Sequence, residues 1–165
     1  MDTFTSACSR ASHAVNHVSK LVLGTVVILM FCSLFLQVIC RYVFHNPLSW
    51  PEEVTMFLMA WMTFIGSAIA VRHWGHIGVD VVINRLQGSK RWTLLFSIRI
   101  LVLIFVLFLL YEGSLFALRS VNMVSDGMRI SMLYPRLAMP IGAAIMLLHL
   151  VALMLEDIAA LRKMK

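Results

Sequence analysis

The sequence predicts an all-α integral membrane protein: four transmembrane helices with short interfacial amphipathic helices, and both termini in the cytoplasm. Composition comes first. The 165 residues are 61% hydrophobic and 13% charged, with a mean hydropathy of +0.89. A soluble domain is roughly 45–50% apolar and about 25% charged. A chain this short has no soluble core large enough to hide so much apolar surface. Second, four apolar runs, 21–39, 54–71, 92–118 and 137–161, are each long enough for a hydrocarbon core of about 30 Å, which takes about 20 helical residues. Third, basic residues sort by side. Arg10, Lys20, Arg72, Arg85, Lys90, Arg91, Arg162, Lys163 and Lys165 fall on one face of the membrane. Arg41, Arg119, Arg129 and Arg136 fall on the other. The richer side is expected to be cytoplasmic.

These observations lay out a single membrane domain over 1–165: an interfacial helix 1–19, spans at 20–42 and 50–72, an interfacial helix 76–88, and spans at 91–119 and 135–161. In the first segment Phe4, Cys8, Ala11, Val15 and Val18 form an apolar stripe at helical spacing, as in a helix lying in the membrane surface. The first span is expected to stay as an anchor. Its apolar stretch exceeds the 7–15 residues of a signal-peptide core, and no small-x-small cleavage site follows. The three cysteines, Cys8, Cys32 and Cys40, make no CxxC pattern and read as packing residues.

The second span opens on Ser49-Trp50-Pro51-Glu52-Glu53. Ser49 and Glu52 have the spacing of a capping box, each side chain bonding a free backbone N–H of the first turn. Pro51 removes a donor that had no helical partner, and both carboxylates suit the positive end of the helix dipole. Glu52 is thereby assigned to the cap. Glu53 then either pairs with Arg41 across the hairpin or faces a partner protein. Trp61, mid-span with Phe57 and Phe64 on neighbouring turns, packs in the bundle or against lipid, or anchors a second membrane protein. In the connection that follows, Val79, Val82, Ile83 and Leu86 face away from Asp80, Asn84 and Gln87, an amphipathic pattern.

The third span carries Arg99 about two turns in, close enough to its end to snorkel. Glu156 or Asp157, at similar depth on the fourth span, is its expected partner. Glu112 lies near the far end, within reach of water or Arg119. His149 is the histidine well inside a span, with no second axial ligand for haem on a facing helix. His13 and His17 are spaced i, i+4 without a third metal ligand. Trp50, Trp74 and Trp92 sit at span boundaries like an aromatic belt. Internal repeats, broken helices and a charged pathway, the usual marks of a self-contained transporter, are missing. No catalytic, cofactor or metal residue is expected. The charge of +6 is scattered through short loops, which fits membrane lipids and argues against nucleic acid.

Four stretches of sequence then coincide with one known pattern. Arg41-Tyr42-Val43-Phe44 ends the first span. Trp50 to Glu53 opens the second, Trp61 to Arg72 runs through it as W-x-x-F-x-G-x-A-x-A-x-R, and His76 to Asp80 reads H-I-x-V-D. Together with Pro140 to Gly142 at the last span, they resemble the small membrane subunit of tripartite ATP-independent periplasmic (TRAP) transporters. The resemblance implies a scaffold in a bacterial inner membrane. Its partner would be a large (M-type) membrane subunit that carries the substrate and sodium sites and moves as an elevator. A soluble periplasmic (P-type) protein would deliver an organic acid, of sialic acid or C4-dicarboxylate type. Arg41, Trp50, Glu53, Phe57, Trp61, His76 and Asp80 are then candidates for the partner interface, while Ser49, Glu52, Arg99, Glu156 and Asp157 are structural. Sodium coupling would lie in the large subunit, and this chain would need no cofactor. Two other readings are a four-helix membrane anchor of an electron-transfer complex and a self-sufficient small exporter.

Overall fold

A computed structural model describes residues 2–46, 48–73 and 89–163. Its helices are α1 (Asp2–Tyr42), α2 (Trp50–Arg72), α3 (Ser89–Leu118), a single turn α4 (Leu133–Arg136) and α5 (Ala138–Lys163). Among the described residues, four stretches are long and apolar enough to cross a membrane: Ala7–Tyr42, Trp50–Arg72, Thr93–Leu118 and Leu133–Ala159. The expected interfacial helix 76–88 lies outside the described residues.

α1 corrects the reading of its first segment. It is one helix of 41 residues, about 60 Å long at 1.5 Å per residue, with no break between 19 and 20. The face it turns to the bundle is polar. Ser12, Asn16 and Ser19 are buried, whereas Val18, from the expected apolar stripe, is 58% exposed. The reason lies in what the segment packs against, because the neighbouring ends of α2 and α5 present Arg72, His149 and Glu156.

α5 sits at the centre of the bundle, packing on α1, α2 and α3, while α1 also packs along α2. The core joins Ala68 and Val71 of α2, Val106 of α3, and Met146 and Leu150 of α5. Two glycines set how closely the helices approach. A Cβ on Gly142 would lie 2.6 Å from Phe64 Cβ and 3.1 Å from the Phe64 carbonyl carbon, and one on Gly113 would lie 2.8 Å from Met139 Cγ. Membrane helices lack a hydrophobic drive toward each other, so such close backbone contact is a main source of their cohesion. The outward side chains of α1 and α3, such as Ile28, Phe31, Phe35, Leu101, Phe105 and Phe108, are large and exposed, the surface that hydrocarbon solvates.

Between α3 and α4 the chain folds into a tight loop. Ser125 N–H donates to Ile130 O at 2.8 Å, Met132 N–H donates to Met123 O at 2.8 Å, and Val124 bridges Ser131. Arg129 turns it with φ 58°. Arg136 fixes its base by donating to Ser120 Oγ while its guanidinium lies 4.4 Å from the centre of the Phe116 ring. Sequence patterns gave no sign of this loop.

Candidate partner interface

Neither the capping box nor the Glu53–Arg41 pair forms at the head of α2. Ser49 already has helical backbone angles (φ −84°, ψ −31°) and makes no side-chain cap. A capping serine needs extended backbone to aim its oxygen at the first turn, so the capping box does not form. Glu52 is exposed, its Oε2 3.5 Å from Gln37 Nε2. Glu53 is 8% exposed, and its Oε2 accepts a 2.6 Å hydrogen bond from the Met128 backbone N–H. It does not pair with Arg41, which is exposed at the end of α1. Gly127 makes room for this contact, since a Cβ there would lie 2.9 Å from Glu53 Oε2. Beneath it, Pro51 is buried, and its carbonyl accepts from Ser33 Oγ at 3.0 Å and Thr55 Oγ1 at 2.8 Å.

A helix turns about 100° per residue, so burying Glu53 fixes the rest of α2. Phe57 and Trp61 lie on the same side as Ile65, Ala68 and Val71, all three buried. Both rings are half-buried, and Trp61 lines a groove with Val18 and Val22 of α1 and Ile141 and Ile145 of α5. The Glu53–Phe57–Trp61 stripe therefore turns toward the neighbouring helices, the bundle alternative for Trp61. The opposite side carries Glu52, Met56, Met59, Thr63, Ser67 and Ala70, all exposed. Trp50 is 38% exposed at the same end. His76 and Asp80 lie outside the described residues.

At the other end of the bundle, ion pairs tie the helices. Arg99 of α3 pairs with Asp157 and donates to the Leu153 carbonyl at 3.0 Å. Glu156 turns instead to Arg72, with Nη2–Oε1 at 3.3 Å and Nη1–Oε2 at 3.4 Å, and accepts from Ser9 Oγ at 2.8 Å. Arg72 Nη2 also donates to His13 Nε2 at 2.8 Å. One carboxylate thus holds α1, α2 and α5, and its neighbour holds α3. Ser12 Oγ lies 2.8 Å from His149 Nδ1 within the same α1–α5 contact. Arg72 is the last residue of the span expected at 50–72 and turns toward the bundle. Its place four residues after the buried Ala68 was the available sign that it points inward.

Among the described residues, no three histidine, cysteine or acidic groups gather as metal ligands would. The polar contacts described above tie helices and loops to one another. An apolar cleft of about 380 Å³ runs between Ser67, Ala70 and Val71 of α2 and Val102, Phe105 and Leu109 of α3, with Met146 also lining it.

Comparison with known proteins agrees with this picture. A family model described as tripartite ATP-independent periplasmic transporters, DctQ component, matches residues 30–160. The chain is 30% identical over 103 residues to a TRAP transporter small permease protein of Haemophilus influenzae, covering 62% of this chain and 63% of that one. It is 23% identical over 132 residues to the sialic acid TRAP transporter small permease protein SiaQ of Vibrio cholerae, covering 80% and 76%. A third relative, the sialic acid TRAP transporter permease protein SiaT of Haemophilus influenzae, is 28% identical over 99 residues, or 60% of this chain and 16% of that one. The chain thus spans less than two thirds of the length of the first relative.

Proposed function

The chain belongs to the DctQ component family of tripartite ATP-independent periplasmic transporters, and we propose that it is the fixed scaffold on which a large membrane subunit moves during sodium-coupled uptake of an organic acid. It is a transport component rather than an enzyme. The family match carries this reading. The similarity to SiaT, of which the matched region forms only 16%, supports a partnership between a small unit like this one and a much larger membrane body. In this proposal the substrate and sodium sites lie in the large subunit, and a periplasmic binding protein supplies the substrate. The relatives' names point to sialic acids or C4-dicarboxylates. The setting is the bacterial inner membrane.

For docking, the proposal takes Arg41 and Trp50 together with the outward stripe of α2. Met56, Met59, Thr63, Ser67 and Ala70 present short or flexible side chains beside Gly66, whose Cβ position is open. Small residues let a second helix backbone approach in a membrane, and methionine adapts to its neighbour's shape. The outward sides of α1 and α3 carry large aliphatic and aromatic side chains instead.

The test is reconstitution. This chain alone in proteoliposomes should move no organic acid, and uptake should appear when the large subunit and binding protein are added. Transport by the isolated chain would favour the small-exporter reading. The family match does not favour the electron-transfer anchor.

A further inference from the structure

A charged surface continues outward from the ties that hold the bundle. Arg10, His13, His17 and Lys20 are spaced three, four and three residues apart and are all exposed, so they share one side of α1. The end of α2 closes that side. Arg72 donates to His13, and Lys20 Nζ lies 3.3 Å from His73 Nε2. His73 Nδ1 lies 3.0 Å from the Ile69 carbonyl, so this nitrogen holds the proton and Nε2 accepts from the ammonium. Among the described residues, the carboxylates in ion pairs serve Arg72 and Arg99. None neutralises Arg10 or Lys20. A neutral imidazole is a weak partner for an ammonium that an anion could bind directly.

The length of α1 sets the depth of this surface. The apolar part of the helix, Ala7–Tyr42, has 36 residues, about 54 Å, against about 40–45 Å for a bilayer including its headgroups. Counting about 20 residues back from Tyr42 to cross the hydrocarbon places Lys20 at its edge. Leu21, Ile28 and Phe31 follow His17 at four, eleven and fourteen residues, so they continue its side of the helix deeper into the membrane, and they are 62%, 63% and 67% exposed. A cation therefore stands at headgroup level above a surface suited to acyl chains.

We propose that Lys20 and His17, flanked by His73 and Arg10, form a binding site for the phosphate headgroup of an anionic glycerophospholipid, with its acyl chains lying along Leu21, Ile28 and Phe31. The phosphate takes the place of His73 as acceptor for Lys20. The apolar surface that continues from the cations selects a lipid over a soluble anion. The inference does not rest on the transporter reading.

The full chain in nanodiscs of mixed phosphatidylglycerol and phosphatidylcholine, released into native mass spectrometry, should retain phosphatidylglycerol in preference to phosphatidylcholine. The double variant Lys20→Gln with His17→Gln should lose that retention several-fold, while Lys20→Arg keeps it. Circular dichroism confirms that each exposed-site variant is folded. Inorganic phosphate at millimolar concentration should not displace the lipid. Equal retention by the wild type and the folded double variant overturns the site. So does a wild type without preference between the two lipids, a measurement that needs no variant. Full displacement by inorganic phosphate would show a general anion site and overturn the lipid assignment.

Discussion

Glu53 accepts a 2.6 Å hydrogen bond from the backbone N–H of Met128, seventy-five residues further along the chain. This contact fastens the loop between α3 and α4 to the head of α2. A buried carboxylate bonded to an amide is a charge-assisted contact, and removing it leaves the amide without its partner.

Glu53→Ala should therefore destabilise the folded chain by about 1–3 kcal/mol, whereas Glu52→Ala, at an exposed position, should change stability little. Glu53→Gln keeps an acceptor and should lose less than the alanine variant. Thermal unfolding in detergent provides the comparison. A larger loss at Glu52 than at Glu53 would restore the capping role expected of it.

The adjacent carboxylates of α5 divide in the same way. Arg99 should couple more strongly to Asp157 than to Glu156, and Arg72 should couple to Glu156. Removing one member leaves a charge in the span, which costs roughly 2.5–3.5 kcal/mol at a helix centre on insertion scales and less where snorkelling is possible. Double-mutant cycles with Arg99→Leu and Asp157→Leu measure the term. Additive losses would show that the pair contributes no coupling.

Gly142→Ala should cost about 1–3 kcal/mol, the usual range for overpacking. Its new methyl group would meet Phe64 at Cβ and at the backbone. Phe64→Ala, which keeps both, should fail to rescue it, whereas trimming a neighbouring ring tip would have helped had the clash been with the tip. Unfolding temperatures of the two single variants and the double variant decide the point.

On α2, Ser67→Leu and Thr63→Leu should leave the chain folded and weaken co-purification of the large subunit. Trp61→Ala should instead destabilise the chain itself, by at most roughly 3 kcal/mol, the lower end for an aromatic core truncation, since its ring is only half-buried. The opposite result, an intact complex with the outward stripe changed and a broken one with Trp61 changed, would return the interface to the side of Phe57 and Trp61.

The sequence by itself determined how many times this chain is fit to cross a membrane, where each crossing lies, and which family it belongs to. Those properties are local: a run of about 20 apolar residues answers to the thickness of the bilayer, and the motifs from Arg41 to Asp80 are read in order. It did not determine which side of a helix faces inward. In water a helix shows its core side as an apolar stripe. Here lipid and core are both apolar, so the stripe carries no such information, and a step of one residue turns the side chain by about 100°. Tertiary structure made that choice for Glu52 and Glu53 and again for Glu156 and Asp157. In each case the deciding partner came from another part of the chain: Met128 in a loop without regular pattern, Arg72 at the end of α2, and Arg99 on α3. Tertiary structure also set the inward face of the first part of α1, where Ser9 donates to Glu156 and Ser12 meets His149. A buried polar group is held by what it bonds, and those bonds exist only once the helices are packed.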